Sequence, residues 1–274
     1  MHGSMPIGRR LPHLIPLIVG ASLLAASCGS SSTTTTSATS SAAAAPAKTS
    51  TRSGSPGSGP TVLAAASLTK VFPTIDPDAR YTFGGSGALE IEIEQGAPAD
   101  VFAAASPKQP AELLAKKLVD KPVQFATNTL VLIVPRANPA HITSVGDITK
   151  RGVKLVICNA TVPCGDYART AFMNLGITRA AMRNVVSQTT DVTQTVAEVA
   201  LGQADAGFVY ITDARAADGK VMVVRLPAKA KPQAEDVVAV VRAGHDQTAA
   251  RAFVAKLMSP AGQAKLRAAG FGKP

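Results

Sequence analysis

The chain has 274 residues, 46% of them hydrophobic and 17% charged, which is the balance of a globular body large enough for one big or two medium domains. Its formal net charge of +10 is compatible with anionic partners. Tryptophan is absent, aromatics make up only 4%, and no Lys/Arg run is clustered, so nucleic-acid binding is excluded as the expected role.

The first 27 residues read as an export signal. Arg9 and Arg10 precede the apolar run LPHLIPLIVGASLLAAS, which is short and broken by proline, and small residues then lead to Cys28. The ending LLAASC is similar to a bacterial lipobox, with Ala25 where leucine is common, and makes Cys28 the expected lipidation site. Residues 28–60 are Ser-, Thr-, Ala- and Gly-rich and read as a disordered tether that cannot bury a core. The folded body is expected from Thr61 to Pro274, 214 residues, outside the membrane and anchored to its outer face through Cys28. Without Arg9 and Arg10 the charge is two lower, +8.

From Thr61 onward, short apolar runs alternate with amphipathic segments. TVLAAAS predicts a strand and LTKVFPTI a short helix; RYTFGG predicts a strand and SGALEIEIEQG a helix. The stretch EIEIEQ, Glu90 to Gln95, alternates with a strand period, but the glycine turn before it and Gly96 after it favour helix. ADVFAAAS, TLVLIVP, VKLVICN, NVVSQTT, AGFVYI and VVAVVRA predict strands. KQPAELLAKKLV, GDYARTAFMNLG and DVTQTVAEVALGQ predict helices, and residues 247–270 a helical C-terminus. The alternation predicts an α/β fold of mostly parallel sheet flanked by helices.

Hydroxyls, glycines and small residues gather where strands give way to helices: at Ser67, at Ser86, in VPCGD, and in TTDV. In a parallel α/β sheet these junctions share the carboxyl edge, where ligands bind. Each helix start offers unpaired N–H donors and the positive end of a dipole, so several together form an anion site without Lys or Arg. A hydrogen bond to a charged group contributes about 1.5–3 kcal/mol and a dipole end about 0.3–2 kcal/mol. Five to seven such donors support binding on the order of −8 kcal/mol or stronger.

The motifs TVLAAASLTKVF, FGGSGAL, EQGAPADVFAAAS, FATNTLVLIVP, VPCGDYA, GQADAGFVYITDA and SPAGQAKLRAAGFGKP together resemble the molybdate-binding proteins of bacterial ABC importers, over essentially Thr61 to Pro274. The resemblance implies a two-lobed periplasmic-binding-protein fold of type II with the ligand in the cleft. Residues 61–127 with 240–274 would form the first lobe and 128–239 the second. It implies oxyanion contacts from the hydroxyls of Ser67 and Ser86, the backbone N–H groups of Cys164 and Val192, and the phenol of Tyr210, with molybdenum held only as molybdate. Tungstate is the implied second ligand. The expected protein is a monomer without cofactor or enzymatic activity that delivers its ion to a membrane permease and ATPase. Three departures from the family pattern stand out: the segment between Ser67 and Ser86 is short, which is expected to trim or loosen the first lobe; Gly87 occupies a place where a second hydroxyl is common; and Cys164 replaces a frequent alanine.

Cys158 and Cys164 in an exported domain suggest a disulfide closing the loop CNATVPC, with two free thiols or a metal pair as alternatives. Asp100, Asp191 and Asp213 are expected to be caps or interlobe contacts. A binding protein for sulfate or another tetrahedral oxyanion is the alternative reading. A serine hydrolase using Ser86 in GGSGA is a lesser one, since only His141 and His245 lie in the body and neither sits in a motif.

Overall fold

Strand β1 (Thr61–Ala65) is an apolar run that ends in a 3-10 turn, Ala66–Leu68, and pairs in parallel with β2 (Arg80–Gly84) and β3 (Val101–Ala104). The computed structural model describes residues 59–231 and 233–274, so the expected signal, Cys28 and nearly all of the tether lie outside the described residues. Helix α2 (Ser86–Glu94) links β2 to β3, and α3 (Lys108–Ala115) follows β3. In α2, Leu89 and Ile93 are buried four residues apart while Ile91 is 51% exposed, so the helix period overrides the EIEIEQ alternation. Gly96, at φ +83°, ends the segment.

The long strand β4 (Val123–Pro135) then crosses the molecule. Beyond it, β5 (Leu155–Cys158) pairs in parallel with β6 (Val185–Thr189) and β7 (Ala206–Tyr210). These strands alternate with α4 (Pro163–Leu175), α5 (Thr178–Arg183), α6 (Val192–Ala200) and α7 (Ile211–Ala216). Strand β8 (Val221–Val224) lies against β4, and β9 (Gln233–Val240) returns to the first set of strands. The strand order is β2-β1-β3-β9-β4-β7-β5-β6. Two parallel triples are thus joined through β9 and β4. Residues Val123–Thr129 of β4 pair with β9, and Leu130–Pro135 with β7 and β8.

Three differences from the sequence expectation have clear causes. Strands β4 and β9 are apolar and largely buried, as TLVLIVP and VVAVV suggest, but they pair antiparallel to their neighbours. Burial on both faces does not encode strand direction. The C-terminal helix is two helices, α8 (Gln247–Met258) and α9 (Pro260–Ala269). Ser259 separates them because the residue before a proline avoids the helical region, and its Oγ accepts the Gly262 N–H to cap α9. The short elements α5, α7 and β8 carry weak periodic signals and were not anticipated.

The segment between Ser67 and Ser86 forms only the four-residue helix α1 (Phe72–Ile75), yet it is well anchored. Phe72 is fully buried against Tyr81, Phe125 and Phe253, with ring centroids 6.2, 5.8 and 5.4 Å away. The Tyr81 hydroxyl donates to the carbonyls of Phe72 and Asp76, and burial followed by the nearby Asp76 raises its pKa well beyond the usual range. Asp76 is itself buried and pairs with Lys256 of α8 at 2.9 Å. The shortened segment is therefore trimmed but not loose.

Candidate oxyanion-binding site

The carboxyl ends of β1, β2, β3, β5, β6 and β7 all open toward one cavity. Ala65, Ala66 and Ser67 line it from the end of β1, and Gly84, Gly85 and Ser86 from the end of β2. Ala105 follows β3. Val162, Pro163 and Cys164 come from the start of α4, Asp191 and Val192 from the start of α6, and Tyr210 from the end of β7. All five residues suggested as ligand contacts thus reach the same space. Among the described residues, none lining it is Lys, Arg or His.

Each wall has a local cause. Ser86 is the first residue of α2, and its Oγ accepts the Ala105 N–H at 3.2 Å, which leaves the hydroxyl proton free to point elsewhere. Proline occupies the first position of α4 and has no N–H, so Cys164 supplies the first amide of that helix. Val192 heads α6 behind Asp191, whose Oδ1 accepts the Gln194 N–H at 3.1 Å. Tyr210 both ends β7 and caps the start of α7, so it too stands at a helix start rather than only at a strand end. Asp213 fixes that start by accepting the Tyr210 N–H at 3.0 Å. Asp100 accepts from the Thr61 and Asp246 amides. The three aspartates therefore serve as backbone acceptors, and Asp191 also borders the cavity.

Two hydroxyls at the cavity stand out. Ser67 Oγ and the Tyr210 OH are buried and have no hydrogen-bond partner among the described residues. Leaving such groups unpaired costs about 1–3 kcal/mol each, so they mark the place where a hydrogen-bond acceptor belongs. Burial, followed by the proximity of Tyr167 and Asp236, drives the Tyr210 phenol pKa well above its ordinary value, so it remains a donor. The cavity itself is small. The space open to the centre of a water-sized sphere is about 10 Å³, on the order of one such sphere. A compact ion fits there, and a nucleotide does not. Among the described residues, no histidine borders Ser86 in the cavity, so those residues do not assemble the nucleophile–base pair of a serine hydrolase there.

Residues 61–272 match the family model described as bacterial extracellular solute-binding protein. The chain belongs to that family. The molybdate-binding protein ModA of Mycobacterium tuberculosis H37Rv is 37% identical over 243 residues, covering 81% of this chain and 91% of the relative. A Clostridium difficile structure described as the substrate-binding domain of a putative molybdenum ABC transporter is 32% identical, with a TM-score of 0.57 over 78% of this chain and 98% of that one. The Azotobacter vinelandii periplasmic molybdate-binding protein superposes with a TM-score of 0.67 at 21% identity, over 78% and 99% of the two chains, and supports the two-lobed fold.

In this solute-binding protein Cys158 and Cys164 are disulfide-bonded, six residues apart. The bond ties the end of β5 to the start of α4, with Asn159 N–H donating to the Thr189 carbonyl beside it. Loop-closure reasoning assigns it about 2 kcal/mol. Reduction is expected to lower stability by about that amount, read by denaturant unfolding with and without reductant.

Sequence reasoning missed Asp236 on β9. It is fully buried, both carboxylate oxygens lack a partner among the described residues, and burial together with nearby Asp213 raises its pKa well above the ordinary value. Its only sequence signal was an acidic residue directly before the apolar run VVAVV.

Proposed function

We propose that this protein captures molybdate outside the cell membrane and delivers it to an ABC permease and its ATPase, with tungstate as a second ligand. The observation that carries the reading is the pair of buried, unpartnered hydroxyls, Ser67 and Tyr210, in a small cavity without a cationic side chain. Ser86 and the amides of Cys164 and Val192 complete the proposed donor set. Together these neutral donors replace the hydration of a compact dianion.

Donor chemistry also supports selectivity. Molybdate, tungstate and sulfate accept hydrogen bonds at every oxygen near neutral pH, whereas hydrogen phosphate carries a proton that needs an acceptor. Among the described residues, Asp191 is the one acidic residue bordering the cavity, and its Oδ1 accepts the Gln194 N–H at the start of α6. The proposed contacts are all donors, so an ion that must itself donate is disfavoured. The first lobe is assigned to residues 61–127 with 240–274 and the second to 128–239. Cys28 is the assigned lipid anchor and residues 28–60 the tether. The protein acts as a monomeric carrier rather than an enzyme.

Calorimetric titration with molybdate, tungstate, sulfate and phosphate tests this reading. Molybdate and tungstate are expected to bind tightly and phosphate not to bind; binding of sulfate or phosphate alone overturns it. Ser86→Ala and Tyr210→Phe are each expected to weaken molybdate by about 1–3 kcal/mol. Unchanged affinity in both would remove them from the site.

A further inference from the structure

The family resemblance makes position 87 look like a lost donor, a glycine where a hydroxyl is common. The geometry points to the opposite role. We propose that Gly87 is the positioning residue on which the second lobe closes over the captured ion, and that a side chain there holds the lobes apart. The proposal rests on the molybdate-capture reading above.

Gly87 lies in the first turn of α2 and is buried. Its φ is outside the left-handed region, so the backbone does not require glycine. Space does. A Cβ built on Gly87 would lie 2.2 Å from the Thr161 carbonyl oxygen and 3.1 Å from its carbon. Gly85, just before the helix, repeats the arrangement: its Cβ would lie 2.3 Å from the Thr190 carbonyl oxygen and 3.1 Å from a Val162 methyl. Both partners belong to the far side of the cleft, in the loops after β5 and β6. The first lobe therefore meets the second through bare backbone at two points beside the cavity.

Neither side yields easily. The Thr161 loop is closed by the Cys158–Cys164 disulfide. Asn159 Oδ1 also accepts from the Thr161 amide at 3.1 Å and from its hydroxyl at 2.7 Å. The obstacle at position 87 is thus a backbone carbonyl on a braced loop rather than the flexible end of a side chain. Moving that loop outward also moves the amide of Cys164, which shares it.

Gly87→Ala and Gly87→Ser separate the two roles. The inference requires that the lobes part when no ion is held between them; alanine is the better helix former, so Gly87→Ala is then expected to leave the thermal midpoint of the unliganded protein unchanged or raise it. Both variants are expected to weaken molybdate about tenfold or more in titration calorimetry, through faster dissociation with little change in association. Both are also expected to shrink the ligand-induced drop in radius of gyration seen by small-angle scattering. Gly87→Ser binding as tightly as the unmodified protein, or more tightly, overturns the inference and restores the missing-donor role. A Gly87→Ala variant that loses unliganded stability and affinity together also overturns it, because simple overpacking would then suffice. Failure of the unmodified protein to bind molybdate fails the capture reading first and takes this inference with it.

Discussion

Phe72→Ala is expected to lower the unfolding free energy by about 3–5 kcal/mol, among the larger effects of any single truncation. Phe72 is fully buried at the meeting point of three elements that are remote in sequence. It contacts Tyr81 of β2, Phe125 of β4 and Phe253 of α8. The segment around it is short, so little else can slide in to fill the space, and the cavity component of the cost stays high. The Tyr81 hydroxyl donates to the Phe72 carbonyl and would lose a well-placed acceptor if the chain shifted. Urea unfolding monitored by circular dichroism checks this. A loss below about 1 kcal/mol would show that the shortened segment tolerates collapse after all.

The second large effect concerns pH. Burial, partly offset by the Tyr210 N–H and reinforced by Asp191, raises the pKa of Asp213 from 3.8 to about 7. A carboxyl whose folded pKa is raised holds its proton more tightly when folded. Stability is therefore greatest below the unfolded value near 4, falls as pH rises from about 4 to about 7, and levels off above it. A displacement of this size corresponds to on the order of 4 kcal/mol. Asp213→Asn keeps an oxygen for the Tyr210 N–H but removes the titration. The variant is expected to be more stable than the unmodified protein at pH 8 and to show a flatter stability profile between pH 5 and 8. Some slope remains, because Asp236, shifted upward by burial and by Asp213, and Glu90, raised to about 7 by burial and by Glu112, act in the same direction. Asp147 has its pKa lowered by Lys150 and backbone donors, so its contribution is lost only at more acidic pH. An unchanged profile in Asp213→Asn would show that this carboxyl titrates normally.

Much of the architecture was legible because strands and helices in this chain keep distinct periods and their junctions carry recognisable residues. Ser86, Cys164 and Val192 could be placed at helix starts from the glycine turn, from VPCG and from TTDV alone. The structure puts all three beside one cavity. What stayed hidden depends on contacts between distant segments. Nothing local distinguishes Gly87 as a close-approach glycine from a simple omission of a hydroxyl. The buried state of Asp236 follows from its place on β9 beside β4, which its acidic character conceals. The antiparallel setting of β4 and β9 was equally invisible, since apolar strands read the same in either direction. Ile211–Ala216 was missed as a helix because six residues directly after a strand give little periodicity.

The change of partners along β4 has a mechanical consequence. One strand, with a register shift between Gln124 and Ala126, pairs with β9 as far as Thr129 and with β7 and β8 from Leu130 onward. The two triples are thus coupled by a hydrogen-bonded ribbon instead of a slack linker. A paired ribbon of this kind resists stretching more than a single extended chain would, so any opening of the cleft has to be accommodated as twist along these paired strands.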